Sequence, residues 1–294
     1  MKKLLISLTL LSSCLFAGEL PAAARKKAEE TVDIKDAAAV SRELSNPNTS
    51  LASLRFKFQY RDMTGDLPGA DSHNSSLVLF QPTLPFKLDS GNQILFRPAI
   101  PFYLDMGTPG SDGSIHSESG VGDLAFDLVY AVNKPGGMLY AAGVVGQLPT
   151  GSDEFTKDKY AFGPEILLAK ITKENLIGIL PNHRWDIGGS GDSPISQSTA
   201  QVFYMKFLGE GWGVGTQPIF AYDWENEQWD APINATVSKT SIINGRPWKF
   251  DLEVNYYVEQ NELYGNEWMV GINVAPVVQN IFEPMIKNMF SSKK

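Results

Sequence analysis

The feature that most restricts this chain is a period of two in its apolar residues, sustained from Leu51 almost to the end. Successive side chains of a strand point to opposite faces, so the pattern specifies strands with one apolar and one polar face. In the first segment Leu54, Phe56, Phe58 and Tyr60 share one face, and Arg55, Lys57, Gln59 and Arg61 share the other. Near the end Trp248, Phe250, Leu252, Val254, Tyr256 and Val258 alternate with Lys249, Asp251, Glu253, Asn255, Tyr257 and Glu259. Residues 94–104, 124–132, 212–224, 229–237 and 268–274 read the same way, while the stretch around Phe203 is poorly patterned. About twelve strands are expected on this count.

Their length narrows the architecture further. The segments run to about 10–14 residues, against roughly 5–6 for ordinary soluble strands and about 9–11 for a tilted strand that spans a bilayer. Connections alternate between tight turns (89–92, 133–136, 172–174) and longer polar loops (62–74, 105–119, 150–159, 188–198). Short turns on one rim and long loops on the other characterise outer-membrane barrels. Residues 238–246 are the exception, being long for a short-side turn. Tyr60, Phe86, Tyr103, Tyr130, Trp212, Trp224, Trp229 and Trp268 fall at strand ends, where amphipathic rings suit a lipid–water interface. Backbone groups cannot stay unpaired in lipid, so such a sheet must close. The expected fold is an all-β, closed, antiparallel up-and-down membrane β-barrel of about twelve strands, with a short N-terminal helical arm. A soluble periplasmic β-sandwich that binds a ligand is the alternative fold, its aromatics then filling a core.

The N-terminus indicates export. A basic Met1-Lys2-Lys3 precedes an apolar run over residues 4–11 and small residues at Ser12, Ser13, Ala17 and Gly18, as in a secretory signal peptide. Residues 1–17 are therefore expected to be removed, with lipidation at Cys14 as the alternative. Residues 18–50 are Ala-, Lys- and Glu-rich and read as a solvated helical arm or linker, broken at Ser45-Asn46-Pro47-Asn48. Residues 51–278 form the expected transmembrane barrel and 279–294 a C-terminal tail. The expected location is the bacterial outer membrane, with its lipid and lipopolysaccharide, the barrel-assembly machinery and a small-molecule solute as partners.

Closing the barrel turns its polar face inward. The candidate lumen residues are Arg55, Lys57, Arg61, Arg97, Asp123, Asp127, Glu165, Arg184, Asp186, Asp223, Asp230, Lys249, Asp251 and Glu253, with bases concentrated on early strands and acids on later ones. They could set up a transverse field across a narrow pore, or pair with one another and fill it. Net charge is −8, with 25 Lys and Arg against 33 Asp and Glu, which disfavours nucleic acid as a partner. One Cys and three scattered His argue against a metal centre, and P-loop, His-Glu-x-x-His and Gly-x-Ser-x-Gly patterns do not occur. No cofactor, metal or catalytic residue is expected in the leading reading, a channel or transporter for a small solute, aromatic or apolar compounds among the candidates. The enzymatic alternative is an outer-membrane lipid hydrolase using His73 and Ser75, two positions apart at a strand start.

Several stretches carry a resemblance. Gly120-Val121-Gly122-Asp123-Leu124, followed by Phe126, Leu128 and Tyr130, and then residues 143–150, resemble outer-membrane proteins of the "MetA-pathway of phenol degradation" type. Phe80-Gln81-Pro82, Pro85-Phe86, Arg97-Pro98-Ala99-Ile100-Pro101, Phe162-Gly163-Pro164-Glu165, Asn182-His183-Arg184-Trp185 and Gln217-Pro218-Ile219 are similar to a group of bacterial secreted proteins labelled "transporter" or, misleadingly, "neuromedin U". The likeness spans residues 45–278. It implies an outer-membrane barrel and carries no substrate or catalytic residue with it. The chain departs from the usual barrel ending, an aromatic terminal residue, by continuing past Phe290 to Ser291-Ser292-Lys293-Lys294.

Overall fold

The computed structural model describes residues 36–110 and 114–284. The expected signal peptide, Cys14, most of the arm and the last ten residues lie outside them. Fourteen strands are present: β1 (Ser53–Thr64), β2 (Asn74–Lys87), β3 (Gln93–Pro109), β4 (Ile115–Val121), β5 (Leu124–Asn133), β6 (Met138–Leu148), β7 (Lys159–Ile171), β8 (Asn175–Gly189), β9 (Ser196–Gly209), β10 (Trp212–Thr216), β11 (Ile219–Asp223), β12 (Gln228–Ile243), β13 (Arg246–Glu259) and β14 (Gly265–Pro276). Among the described residues one α-helix, α1 (Ala37–Ser45), precedes them.

The strands form one closed antiparallel sheet. Each barrel strand pairs with its sequence neighbour, and β14 returns to β1 through Phe56↔Val274, Phe58↔Ile272 and Tyr60↔Val270. β10 and β11 are two halves of one barrel strand, both lying between β9 and β12. β4 pairs only with β3. Twelve barrel positions result, and the sandwich alternative is excluded because the sheet closes on itself and, among the described residues, no second sheet packs against it. Paired residues share a face, so parity carries around the ring. Ile166, Ile177, Leu252 and Ile272 point outward, each at least 50% exposed. A continuous apolar outer wall of that kind needs a lipid neighbour rather than water.

Three local features depart from the sequence reading. Residues 238–246 are mostly strand: β12 reaches Ile243, and the turn is Asn244-Gly245 with φ of 49° and 71°. These are the two left-handed positions of a type I′ hairpin, for which Asn-Gly is the preferred pair. The long loop expected over 105–119 is largely the β3–β4 hairpin, which extends beyond the barrel wall. The single strand expected over 212–224 is interrupted at Gln217-Pro218.

Inside, the end carrying the short turns is filled. Leu95, Val129, Leu139, Leu167, Leu176, Phe203 and Met205 form an apolar cluster on the inner faces of β3 and β5 to β9. The stretch around Phe203, poorly patterned in sequence, thus belongs to a continuous β9. Opposite lies α1, whose buried Val40, Ser41 and Leu44 occupy one helical face. Val40 and Leu44 pack with Leu51 and Val277. Asp36 caps the helix by accepting from the Ala38 N–H at 2.8 Å. Gly211 admits α1 to the wall, since a Cβ there would collide with the Thr240 backbone and approach the Cβ of Ala37. The arm is therefore docked into the barrel over its described part, and the expectation of a solvated linker fails there. Two apolar residues of the helix, Val40 and Leu44, pack it against Leu51 and Val277, too few to show as a helical stripe.

Candidate functional site in the barrel lumen

The chain leaving α1 turns through residues 46–52 and stoppers the short-turn mouth. Glu43 fixes this turn, its Oε1 accepting from the Ser50 N–H (2.7 Å), Ser50 Oγ (2.9 Å) and Thr49 Oγ1 (3.1 Å). Asn48 is fully buried and reaches across to the wall. Its Nδ2 donates to the Tyr140 carbonyl at 3.0 Å, and its own carbonyl accepts from Gln93 Nε2 at 2.6 Å and Asn133 Nδ2 at 3.3 Å. Two wall cations hold the stopper from within: Lys249 Nζ donates to Ser45 Oγ at 3.0 Å, and Arg97 Nη1 to the Pro47 carbonyl at 3.3 Å. Sequence reasoning passed over Glu43, Asn48 and Gln93. Asn46-Pro47-Asn48 was visible only as a helix breaker, which says where a helix ends and not where the chain goes next.

Above the stopper lies a cavity of about 510 Å³. Of the fourteen candidates, Arg55, Lys57, Arg61, Arg97, Arg184 and Lys249 line it, together with Asp127, Glu165, Asp251 and Glu253. The other four stand elsewhere. Asp186 accepts from the Ile195 N–H at 2.9 Å and pairs with Lys159 at 3.5 Å. Asp223 caps the β11–β12 turn by accepting from the Glu225 and Asn226 N–H groups. Asp230 sits opposite Ala221 near the same turn. Asp123, between β4 and β5, accepts from Gln147 Nε2 (3.0 Å), the Gly151 N–H (3.0 Å) and the Lys157 N–H (3.2 Å). Burial alone would raise its carboxyl pKa, but the hydrogen bonds from Gln147, the Lys157 backbone, Thr156 and the Gly151 backbone outweigh it and hold the group below the usual range.

Within the cavity the acids are largely spoken for. Arg97 forms a two-pronged pair with Asp127 and stands 3.7 Å from Glu165, which is 3% exposed. Lys249 pairs with Asp251 at 3.5 Å. Asn273 Nδ2 donates to Glu253 at 3.4 Å, and Asn182 Nδ2 to Glu165 at 3.2 Å. Six basic and four acidic side chains line the space, an excess of two positive charges inside a chain whose net charge is −8. Low-dielectric walls focus such a field along the cavity.

The proposed hydrolytic pair does not assemble. Ser75 is fully buried and faces inward, whereas His73 precedes the strand, and no hydrogen bond joins them. His183 points to the outer wall, where its Nδ1 lies 2.7 Å from Ser198 Oγ and its ring 4.1 Å from that of Trp185.

A closed antiparallel barrel with an apolar outer wall, a charged interior and short turns on one rim belongs to the outer-membrane β-barrel class. Neither a protein-family model nor a curated protein matches the sequence. Among solved structures, an outer membrane channel from Pseudomonas putida F1 aligns over 77% of this chain and 95% of its own, with 13% identity and a TM-score of 0.59. The NanC porin aligns over 77% and 99% at 12% identity, with a TM-score of 0.46. The outer membrane phospholipase A of Escherichia coli covers 83% and 98% at 11% identity, with a TM-score of 0.44. At such identities the likeness is one of fold.

Proposed function

We propose that this protein is an outer-membrane channel for a small solute, with its stoppered, short-turn mouth on the periplasmic side. One observation carries the reading: a charged cavity enclosed by the barrel wall and shut at one end by a segment of the same chain. The channel of Pseudomonas putida F1 supports it by fold. Solute would enter between the long loops, pass the charged belt and leave when residues 46–52 yield. No covalent step is required of any residue. The barrel would be held in lipid and lipopolysaccharide by its outer aromatic residues after insertion by the assembly machinery.

Planar-bilayer recording tests this. Full-chain protein is expected to give small or rare conductance steps, and deletion of residues 36–49 to give frequent, larger ones. Absence of conductance in a deletion variant that still shifts on a gel before and after boiling would end the channel reading.

A further inference from the structure

Among the described residues four lumen cations, Arg55, Lys57, Arg61 and Arg184, have no hydrogen bond or ion pair to an acid, and of these Arg61 and Arg184 stand on opposite walls. β1 and β8 are six barrel strands apart in either direction, so Arg61 and Arg184 project toward one another across the lumen. Their heights also agree. In a tilted barrel the pairing ladder falls one way around and rises the other, and the level position lies midway. From Arg61 through Met269, Asn255 and Asn234, and across the break at Gln217 on the register that Thr216↔Tyr204 and Ile219↔Gln201 set on either side of it, the ladder reaches Phe203 and then β8 at Gly178. The other way, Arg55 leads through Gln81, Ala99, Ala125, Gln147 and Ala161 to Asp186. Arg61, six positions above Arg55, therefore maps as far beyond Asp186. Midway falls at Arg184 and Trp185, of which Arg184 faces the cavity.

Both guanidinium groups are positioned without being neutralised. Arg61 Nη2 donates to Gln59 Oε1 at 2.8 Å, and Arg184 Nη2 to Gln197 Oε1 at 2.5 Å. A glutamine orients a guanidinium while leaving its charge available. Among the described residues neither arginine has an ion-pair partner, and the Nε of each is buried with no hydrogen bond. Asp230, Tyr103 and Tyr257 lie within electrostatic reach of Arg61 without contacting it. Unpaired buried donors on a preset fork are what a carboxylate satisfies best. Below Arg184 the wall carries Asn182 and Thr199 and then, flanking Gln201, the apolar Leu180, Phe203 and Ile219, all lining the same cavity.

We propose that Arg61 and Arg184 form a two-sided site for a small organic carboxylate, its charge held between the guanidinium groups and its apolar body against Leu180, Phe203 and Ile219. The proposal rests on the lumen being the solute path, and it assigns that path to anions. Isothermal titration calorimetry of the full chain in detergent tests it, with hexanoate as probe and hexylammonium as the control of equal body and opposite charge. Hexanoate is expected to bind one per chain and hexylammonium not to bind. Arg61→Gln and Arg184→Gln should each weaken hexanoate tenfold or more, and Arg61→Lys less, since it keeps the charge and loses the fork. Heat-modifiable migration checks each variant's fold, and the lysine variants at both positions carry the test if a glutamine variant does not fold. Equal hexanoate affinity in the parent and the double glutamine variant, or no hexanoate binding by the parent, would overturn the site. Bilayer conductance separates the two readings: conductance without hexanoate binding removes the site and keeps the channel, whereas binding without conductance in the protein lacking 36–49 does the reverse.

Discussion

Arg97 stands between two carboxylates of the lumen wall and also reaches the stopper, so one side chain joins three elements. It contacts Asp127 on β5, Glu165 on β7 and the Pro47 carbonyl. Removing one partner of a buried pair strands the other charge, at a cost of about 3–5 kcal/mol. Arg97→Ala is therefore expected to lower stability by that order in a urea titration of the detergent-solubilised barrel. Asp127→Asn should cost less, because Glu165 remains to balance the arginine. Equal losses in the two variants would mean that Arg97 acts through packing rather than charge. At this scale the sequence was informative about face and blind to depth. Parity put Arg97, Asp127 and Glu165 on one surface, and equally Asp123, Asp186, Asp223 and Asp230, which lie outside the cavity. Height in the barrel depends on strand tilt and register, and alternation carries neither.

The elements that the alternation describes best are those that touch lipid. β4 pairs with β3 outside the ring, and its exposed His116-Ser117-Glu118 has no apolar face to keep, so it read as loop. The Asn244-Gly245 turn has a plain local signature, but Ser238-Lys239-Thr240-Ser241 before it interrupts the apolar alternation, so the strand reads as loop. α1 and its stopper were hidden for a different reason, since they are held by the packing of only Val40 and Leu44 and by hydrogen bonds that Asn48 donates and Glu43 accepts, rather than by a patterned face. Asn48→Ala should cost about 1–3 kcal/mol by taking the Nδ2 donor from the Tyr140 and Val132 carbonyls, while the backbone carbonyl of residue 48 keeps its bond from Gln93. It should also let trypsin cut at Arg42 in protein that resists it with Asn48 in place; unchanged resistance would show that the apolar packing of α1 alone holds the segment. The β6–β7 loop offers a pH test at the other rim. The Asp123 carboxyl has a folded pKa below its unfolded value of ~4, so its contribution is present above that value and is lost as pH falls through the folded pKa. Amide exchange at Gly151 and Lys157, intrinsic rate corrected, is expected to accelerate below about pH 4. In Asp123→Asn these amides should already exchange faster at neutral pH, and their protection should no longer fall with acid.

For the molecule as a whole, the two faces of the wall make opposite demands, and a single substitution can ask which solvent each one meets. Ile166 and Leu252 lie mid-strand on the outer face, on β7 and β13, at 56% and 50% exposure. On a water-facing surface a lysine at either position would change stability by about 0.5 kcal/mol at most. At the bilayer midplane the same change costs about 2–4 kcal/mol, because the ammonium must be carried into hydrocarbon or snorkel to the interface. Ile166→Lys and Leu252→Lys are expected to show the larger loss in lipid vesicles, by urea unfolding followed through tryptophan fluorescence. The loss should shrink toward either rim, so Trp268→Lys, near the upper end of β14, serves as the depth control. A flat response with depth would place the barrel in water despite its apolar wall. A graded one would give the outer face its solvent, and with it the reason the charges of β1, β3, β5, β7 and β13 are gathered inside.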